Sequence, residues 1–208
     1  MIRPDYEGAR AYALKRLTED LPARLIYHSL QHTRDDVVPA AKRLAAAEGI
    51  NGEDLLLLST AAYFHDLGFI IRREEHERAG VQIAGQVLPG FNYDSAQIEK
   101  ICGMIMATRI PQSPTSLMEE ILADADLDSL GTEPFWMLSQ KLRMENEAFE
   151  GPMSDLKWYQ AQLLFLEQHH YWTSAARTQR EAQKQAHLVQ LRELLAAATK
   201  LAAPHDRS

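Results

Sequence analysis

A single cysteine, Cys102, stands in a chain of 208 residues, so no disulfide can form within it. Glycine and proline are sparse, with 10 and 9 copies, and aromatic residues make up only 8%. β-Branched residues are also few beside Ala, Leu, Glu, Gln and Arg, a balance that argues against a sheet protein. Lys and Arg together number 22 against 29 Asp and Glu, giving a formal charge of −7. That excess of acid weighs against binding a nucleic-acid polymer, which rests on clustered cations. It equally gives an anionic substrate no help, so a phosphate ester would need a local cation to overcome the overall field. No apolar run is long enough to span a membrane, and the opening MIRPDYEGAR does not read as a signal peptide, so the expected setting is cytoplasmic, with no membrane partner.

What is present suits one helical domain with a real core: 46% apolar and 25% charged residues. Helical spacing is expected from about Asp5 to Asp20, ending ahead of Leu21-Pro22. A second helix is expected from about His28 to Glu48, stopped by Gly49 and kinked or broken near Val38 by Pro39. Asn51 reads as the cap of a helix running from Leu55 to Phe64, whose LLLLSTAAYF is apolar nearly all round and so belongs inside a core. A further helix spans about Glu74 to Leu88. Asp94 with Gln97 and Ser116 with Glu119 have the form of capping boxes on either side of the RIPQSPTS loop. Beyond Gly131 follow a helix from about Glu133 to Phe149, a turn at Gly151-Pro152, and a helical stretch from Ser154 to Ala203. Within it, Arg177 to His187 is polar all round and is expected to be exposed or to break the helix. The Leu188, Leu191, Leu195, Ala198 stripe suits an intramolecular core or a homo-oligomer contact. The final PHDRS is expected to be disordered.

Three short segments bear chemistry. His65-Asp66 follows the all-apolar helix directly, and an ionised carboxylate at the edge of a core is costly unless paired or bound to a cation. In YHSLQHT, His28 and His32 are four apart and share a face if the helix starts early enough. Asp124, Asp126 and Asp128 put three carboxylates in five residues, which repel unless a cation or donors intervene, and acid is unfavourable at a helix C-terminus. Each segment also has a bland reading: buried or surface histidines, a capping aspartate, a solvated helix end.

Taken in order, a histidine on one helix, His-Asp on a buried helix, then Asp in Ala125-Asp126-Leu127 resembles the HD superfamily of metal-dependent phosphohydrolases. YHSLQHT is also similar to the corresponding segment of cyclic-nucleotide phosphodiesterases, with Ser29 where those enzymes carry Asn. The resemblance covers roughly residues 22–132. It implies an all-α, HD-domain-like helical bundle in a single domain, with a core at about 22–132 and extra C-terminal helices at about 133–203. It implies a divalent metal ion held by His32, His65, Asp66 and Asp126, with Asp124 the competitor for the last place. His28 falls where phosphodiesterases place a general acid. His76 lies on the next helix, where such proteins turn a histidine to substrate or a second metal. As His76 is the only histidine between His65-Asp66 and the last Asp, one metal is favoured over two.

Mixed His and Asp ligands suit Mn, Fe, Ni or Zn, and Mg less well. The implied activity is hydrolysis of a phosphoester of a nucleotide or other small phosphorylated metabolite, as phosphomonoesterase or phosphodiesterase. Asp66 and His28 would serve in proton transfer, and His76 and Arg109 would face the substrate. Arg72 and Arg73 are further cations close in sequence to the motifs. His169, His170 and His187 lie outside the motif set and read as structural. The alternative is an HD-like regulatory or ligand-binding module that keeps its metal with little catalysis.

Overall fold

The computed structural model describes residues 3–202, and the PHDRS tail lies outside the described residues. Among the described residues there are helices and no strands. They are α1 (Tyr6–Glu19), α2 (Val38–Ala47), α3 (Gly52–Phe64), α4 (His76–Val87), α5 (Ser95–Ala107), α6 (Leu117–Asp126), α7 (Phe135–Glu150), α8 (Asp155–Gln168) and α9 (Ser174–Ala202). The chain therefore has the all-α architecture its composition implies.

The apolar helix α3 is the axis of the bundle. Every residue from Leu57 to Phe64 is buried, and α1, α2, α5 and α6 pack around it. With no polar face to offer solvent, it could not sit anywhere else. Asp94 and Gln97 form the full reciprocal box at the head of α5 (2.9 Å each way). At α6 only half of the expected box forms. Ser116 Oγ accepts from Glu119 N–H, while the Glu119 carboxylate accepts instead from the Thr115 N–H and hydroxyl. Asn51 makes no side-chain cap; its amide donates back to the Gly49 carbonyl, and the helix already starts at Gly52.

The second expected helix needs correction at its start. Helical backbone begins at Leu30, not His28, and His32–Val37 is a π-helical turn. Pro39 explains the turn. It has no N–H for the Asp35 carbonyl, and the chain takes the wider register ahead of it, with Val38 N–H donating to the Thr33 carbonyl five residues back. His28 thus lies in the irregular segment before the helix, so the shared helix face expected for His28 and His32 does not exist.

The expected Ser154–Ala203 stretch is two antiparallel helices, broken at His169–Thr173. The break precedes the polar run, and the run is not uniformly exposed. Lys184 and His187 are buried, the first donating to the His169 carbonyl (2.9 Å), the second bonded through Nδ1 to the Leu130 carbonyl (2.9 Å). Specific partners replace the apolar pattern there, which periodicity could not register. Leu188 and Leu191 turn inward with Phe135 and Leu166 in a small second core, while Leu195 and Ala198, further along the stripe, are only half-buried. No helix among the described residues is long and apolar enough to cross a membrane.

Candidate metal centre

Helix α3 ends by delivering His65 and Asp66 to the interior. His65 ends the helix, and Asp66 stands just ahead of the short 3-10 turn Leu67–Ile70, its side chain making no cap to that turn. Gly68 makes the next step possible: a Cβ there would lie 1.8 Å from the His76 carbonyl oxygen, so only glycine lets the start of α4 press against the turn. That contact brings His76 Nε2 to 3.6 Å from Asp66 Oδ1.

His32, His65 and Asp66 are all buried, and one ligand atom from each lies within 4.8 Å of the others. Asp126, at the end of α6, closes the group: its Oδ1 is 3.1 Å from His32 Nε2 and 3.4 Å from His65 Nε2. Asp66 Oδ2 lies 3.3 Å from His65 Nε2 and 3.8 Å from His32 Nε2. His65 Nδ1 is bonded to the Ala62 carbonyl (2.8 Å), which fixes the ring and leaves Nε2 for the cluster.

Two atoms at the centre, His65 Nε2 and Asp66 Oδ2, are buried without a hydrogen-bond partner. Buried polar atoms are nearly always paired, so two orphans facing one another ask for a missing partner. Both are strong donors to a divalent cation, and the residues present fit one. The electrostatics agree. Burial would push both carboxylates up, but the neighbouring histidines hold Asp66 and Asp126 far below the ordinary range. Burial would push His65 down, but the same carboxylates hold it well above the ordinary imidazole value. The pocket is built for positive charge.

Asp124, two residues from Asp126, faces elsewhere. It is fully buried and accepts from Trp172 N–H (2.8 Å), Thr173 N–H (2.8 Å) and the Thr173 hydroxyl (2.7 Å), tying α6 to the start of α9.

His28 is brought beside the cluster by a residue that sequence reading missed. Glu145 on α7, fully buried, accepts from the N–H groups of Tyr27 (2.8 Å) and His28 (3.0 Å) and bonds His28 Nδ1 (2.5 Å). Burial opposes charge on both groups, yet their bond together with the charges of Asp66 and Asp126 near His28, and the two backbone donors at Glu145, outweighs it, holding His28 above its ordinary pKa and Glu145 below. The only sequence signal was an acid on an inward helical position, 117 residues away. His28 and His76 both pack on Phe69, with ring centres 4.4 and 3.8 Å away.

Arg109 is not brought to the cluster. It is exposed, pairs with Glu75 (3.7 Å) and lines a separate cleft with Met106, Pro111 and Thr115. Arg73 is engaged by Glu150 and Asn146 of α7. The cleft that reaches His32 and Asp126, of about 380 Å³, carries different arginines, Arg43 and Arg180.

Residues 27–129 match the HD domain family model. No curated protein sequence matches the chain. Among solved structures, a predicted HD superfamily hydrolase from an uncultured Thermotogales bacterium is similar over 93% of both chains, at 22% identity and TM-score 0.60. A protein from Lactobacillus plantarum is 18% identical over 93% of this chain and 97% of its own, with TM-score 0.64. Bacillus subtilis YpgQ, solved in complex with ADP, is 18% identical over 93% and 94%, with TM-score 0.64. At these identities the structures speak for the fold, and the family match speaks for the region that bears the motifs: residues 27–129 form an HD domain.

Proposed function

We propose that this protein is a metal-dependent phosphohydrolase that cleaves a phosphoester of a nucleotide or another small phosphorylated metabolite. In this reading His32, His65, Asp66 and Asp126 hold one divalent ion. The observation that carries it is the pair of buried, unpartnered atoms His65 Nε2 and Asp66 Oδ2 inside a His-His-Asp group. A divalent ion bound there supplies Lewis acidity, lowering the pKa of a water and drawing charge from a phosphoryl oxygen.

The protein's own groups supply the rest. Asp66 Oδ1, turned toward His76, accepts the proton of the attacking water. His28, with Nδ1 held by Glu145, has Nε2 left to protonate the leaving oxygen, and the neighbouring carboxylates, which raise its pKa, favour the protonated ring. Phe69 fixes the faces of both His28 and His76. A nucleotide as substrate is supported by the ADP complex of YpgQ, whose fold is similar.

The test is phosphate release from a nucleotide panel with Mn²⁺ and with chelator, for the wild type and Asp66→Ala. The expected result is chelator-sensitive turnover of one compound class, abolished in the variant with its helical circular dichroism retained. Normal turnover by Asp66→Ala would refute the assignment. No turnover by a wild-type protein that still binds metal would favour a ligand-binding module instead.

A further inference from the structure

The third acid of the Asp124–Asp128 segment holds two cations in the cleft that reaches His32 and Asp126. Arg180 of α9 donates from Nε (2.7 Å) and Nη2 (2.9 Å) to the two oxygens of Asp128, and Arg43 of α2 donates from Nη2 (2.7 Å) to the same carboxylate. Both arginines line the cleft that also exposes Asp126 and His32. Two guanidinium groups on one carboxylate leave a net positive charge, in a protein whose total is −7.

We infer that Arg43 and Arg180 form an anion subsite for a second phosphate, so that the substrate carries a diphosphate or longer chain. This rests on the phosphohydrolase reading and narrows its substrate class.

A purely structural strut explains the arrangement less well. The approach of α9 is already fixed by Asp124 at its head and by Gly131, where a Cβ would lie 2.4 Å from the Arg180 carbonyl oxygen. Docking α9 needs one Arg–Asp bond at most, yet a second, part-exposed arginine reaches the same carboxylate from another helix. The shared carboxylate does not exhaust the donors. Arg180 Nη1 and Arg43 Nε have no hydrogen-bond acceptor among the described residues, while Arg43 Nη1 donates to Gln179. A guanidinium with a free edge, oriented by a carboxylate on the other, suits phosphate oxygens. The cleft is within the size range of small-molecule sites, and the two arginines line it together with His32 and Asp126. Asp36, 3.9 Å from His32 Nδ1, disfavours anions at that part of the cleft unless a cation is bound, so the arginines are where a non-reacting phosphate settles.

The experiment compares wild type, Arg180→Gln and Arg43→Gln, each loaded with Mn²⁺ and freed of excess. Inorganic pyrophosphate is titrated calorimetrically, and kcat/KM is measured for a nucleoside diphosphate and the matching monophosphate. The expected result is pyrophosphate binding weakened at least tenfold in both variants. The diphosphate-to-monophosphate ratio of kcat/KM should fall at least tenfold as well. Should Arg180→Gln fail to fold, Arg43→Gln carries the test, because Arg43 is one-third exposed and α9 keeps its Asp124 and Arg180–Asp128 ties without it. No pyrophosphate binding by the wild type, or affinity within twofold in Arg43→Gln, would overturn the subsite. If the wild type hydrolyses nothing, the phosphohydrolase reading fails while the titration still decides the subsite.

Discussion

Asp124 and Asp126 show how much two residues matter. Side chains two apart on a helix point to nearly opposite sides, so one aspartate can reach the histidines and the other cannot. Asp124 satisfies three donors at the start of α9, and Asp126 Oδ1 lies 3.1 Å from His32 Nε2. The two substitutions are therefore expected to separate. Asp124→Ala strands buried N–H groups and should cost about 3 kcal/mol of stability, with metal stoichiometry kept. Asp126→Ala should lower metal affinity at least tenfold, and the metal-free protein should also lose stability at neutral pH, because His32 and His65 lose the carboxylate whose pKa they hold down. Urea denaturation with a parallel metal titration decides it; loss of metal by Asp124→Ala would reverse the two roles. The spacing of His32, His65-Asp66 and Asp126 was legible because each sits in a short, recognisable segment. The phase of Asp124 against Asp126 was not, because it depends on where α9 begins, and that helix lies far along the chain. Arg43 and Arg180 escaped notice for the same reason: what distinguishes them from surface arginines is a shared partner, Asp128, remote from both in sequence.

Helix α7 is where the extension meets the chemistry. Glu145 sends its carboxylate across to His28 and the two backbone N–H groups beside it. Glu145→Gln keeps an acceptor for the backbone but loses the charge that raises the His28 pKa. The expected outcome is a 10- to 100-fold fall in kcat. If His28 must be protonated to act, activity is lost as pH rises through its pKa, so the alkaline limb of the pH profile should move to lower pH in the variant. An unshifted limb would remove His28 from the acid role. The break between α8 and α9 brings a second titration. Burial first, and then Lys184, push His169 down to about 3. The unfolded chain takes up a proton near 6.5 and the folded one does not, so stability should fall as pH drops from about 6.5 toward 3. The fall is at most about 1.4 kcal/mol per unit. His169→Gln should flatten that part of the curve in urea midpoints; an unchanged slope would show that other groups dominate acid unfolding. Helix starts and stops written in local chemistry, such as the Asp94–Gln97 box and the stop at Gly49, could be read directly. The inward face of Arg177–His187 could not, because Lys184 and His187 are buried by hydrogen bonds to carbonyls rather than by apolar spacing.

At the scale of the whole molecule, the C-terminal helices are not an appendage to a finished bundle. Tyr171, Ala175 and Ala176 pack into the same apolar core as Leu44, Leu57 and Leu122. Asp124, Asp128 and Glu145 add polar ties from the motif-bearing region to α9 and α7. Cutting the chain after Gly131 would strand buried acids on one side and expose apolar surface on the other. The expected behaviour of the full chain is thus one cooperative thermal transition, with calorimetric and van't Hoff enthalpies in agreement. A divalent ion bound by His32, His65, Asp66 and Asp126 draws on residues from the π-helical turn, the end of α3 and the end of α6, so it should stabilise that single transition as a unit. Metal at one hundred times its dissociation constant is worth about 2.7 kcal/mol. Chelation should move the whole unfolding curve down, as followed both by far-ultraviolet circular dichroism and by tryptophan fluorescence, which reports chiefly on the C-terminal half through Trp136, Trp158 and Trp172. If the fluorescence transition stayed in place while the circular dichroism transition moved, α7 to α9 would be a separate folding unit, and the Glu145–His28 bond would be a contact between two units.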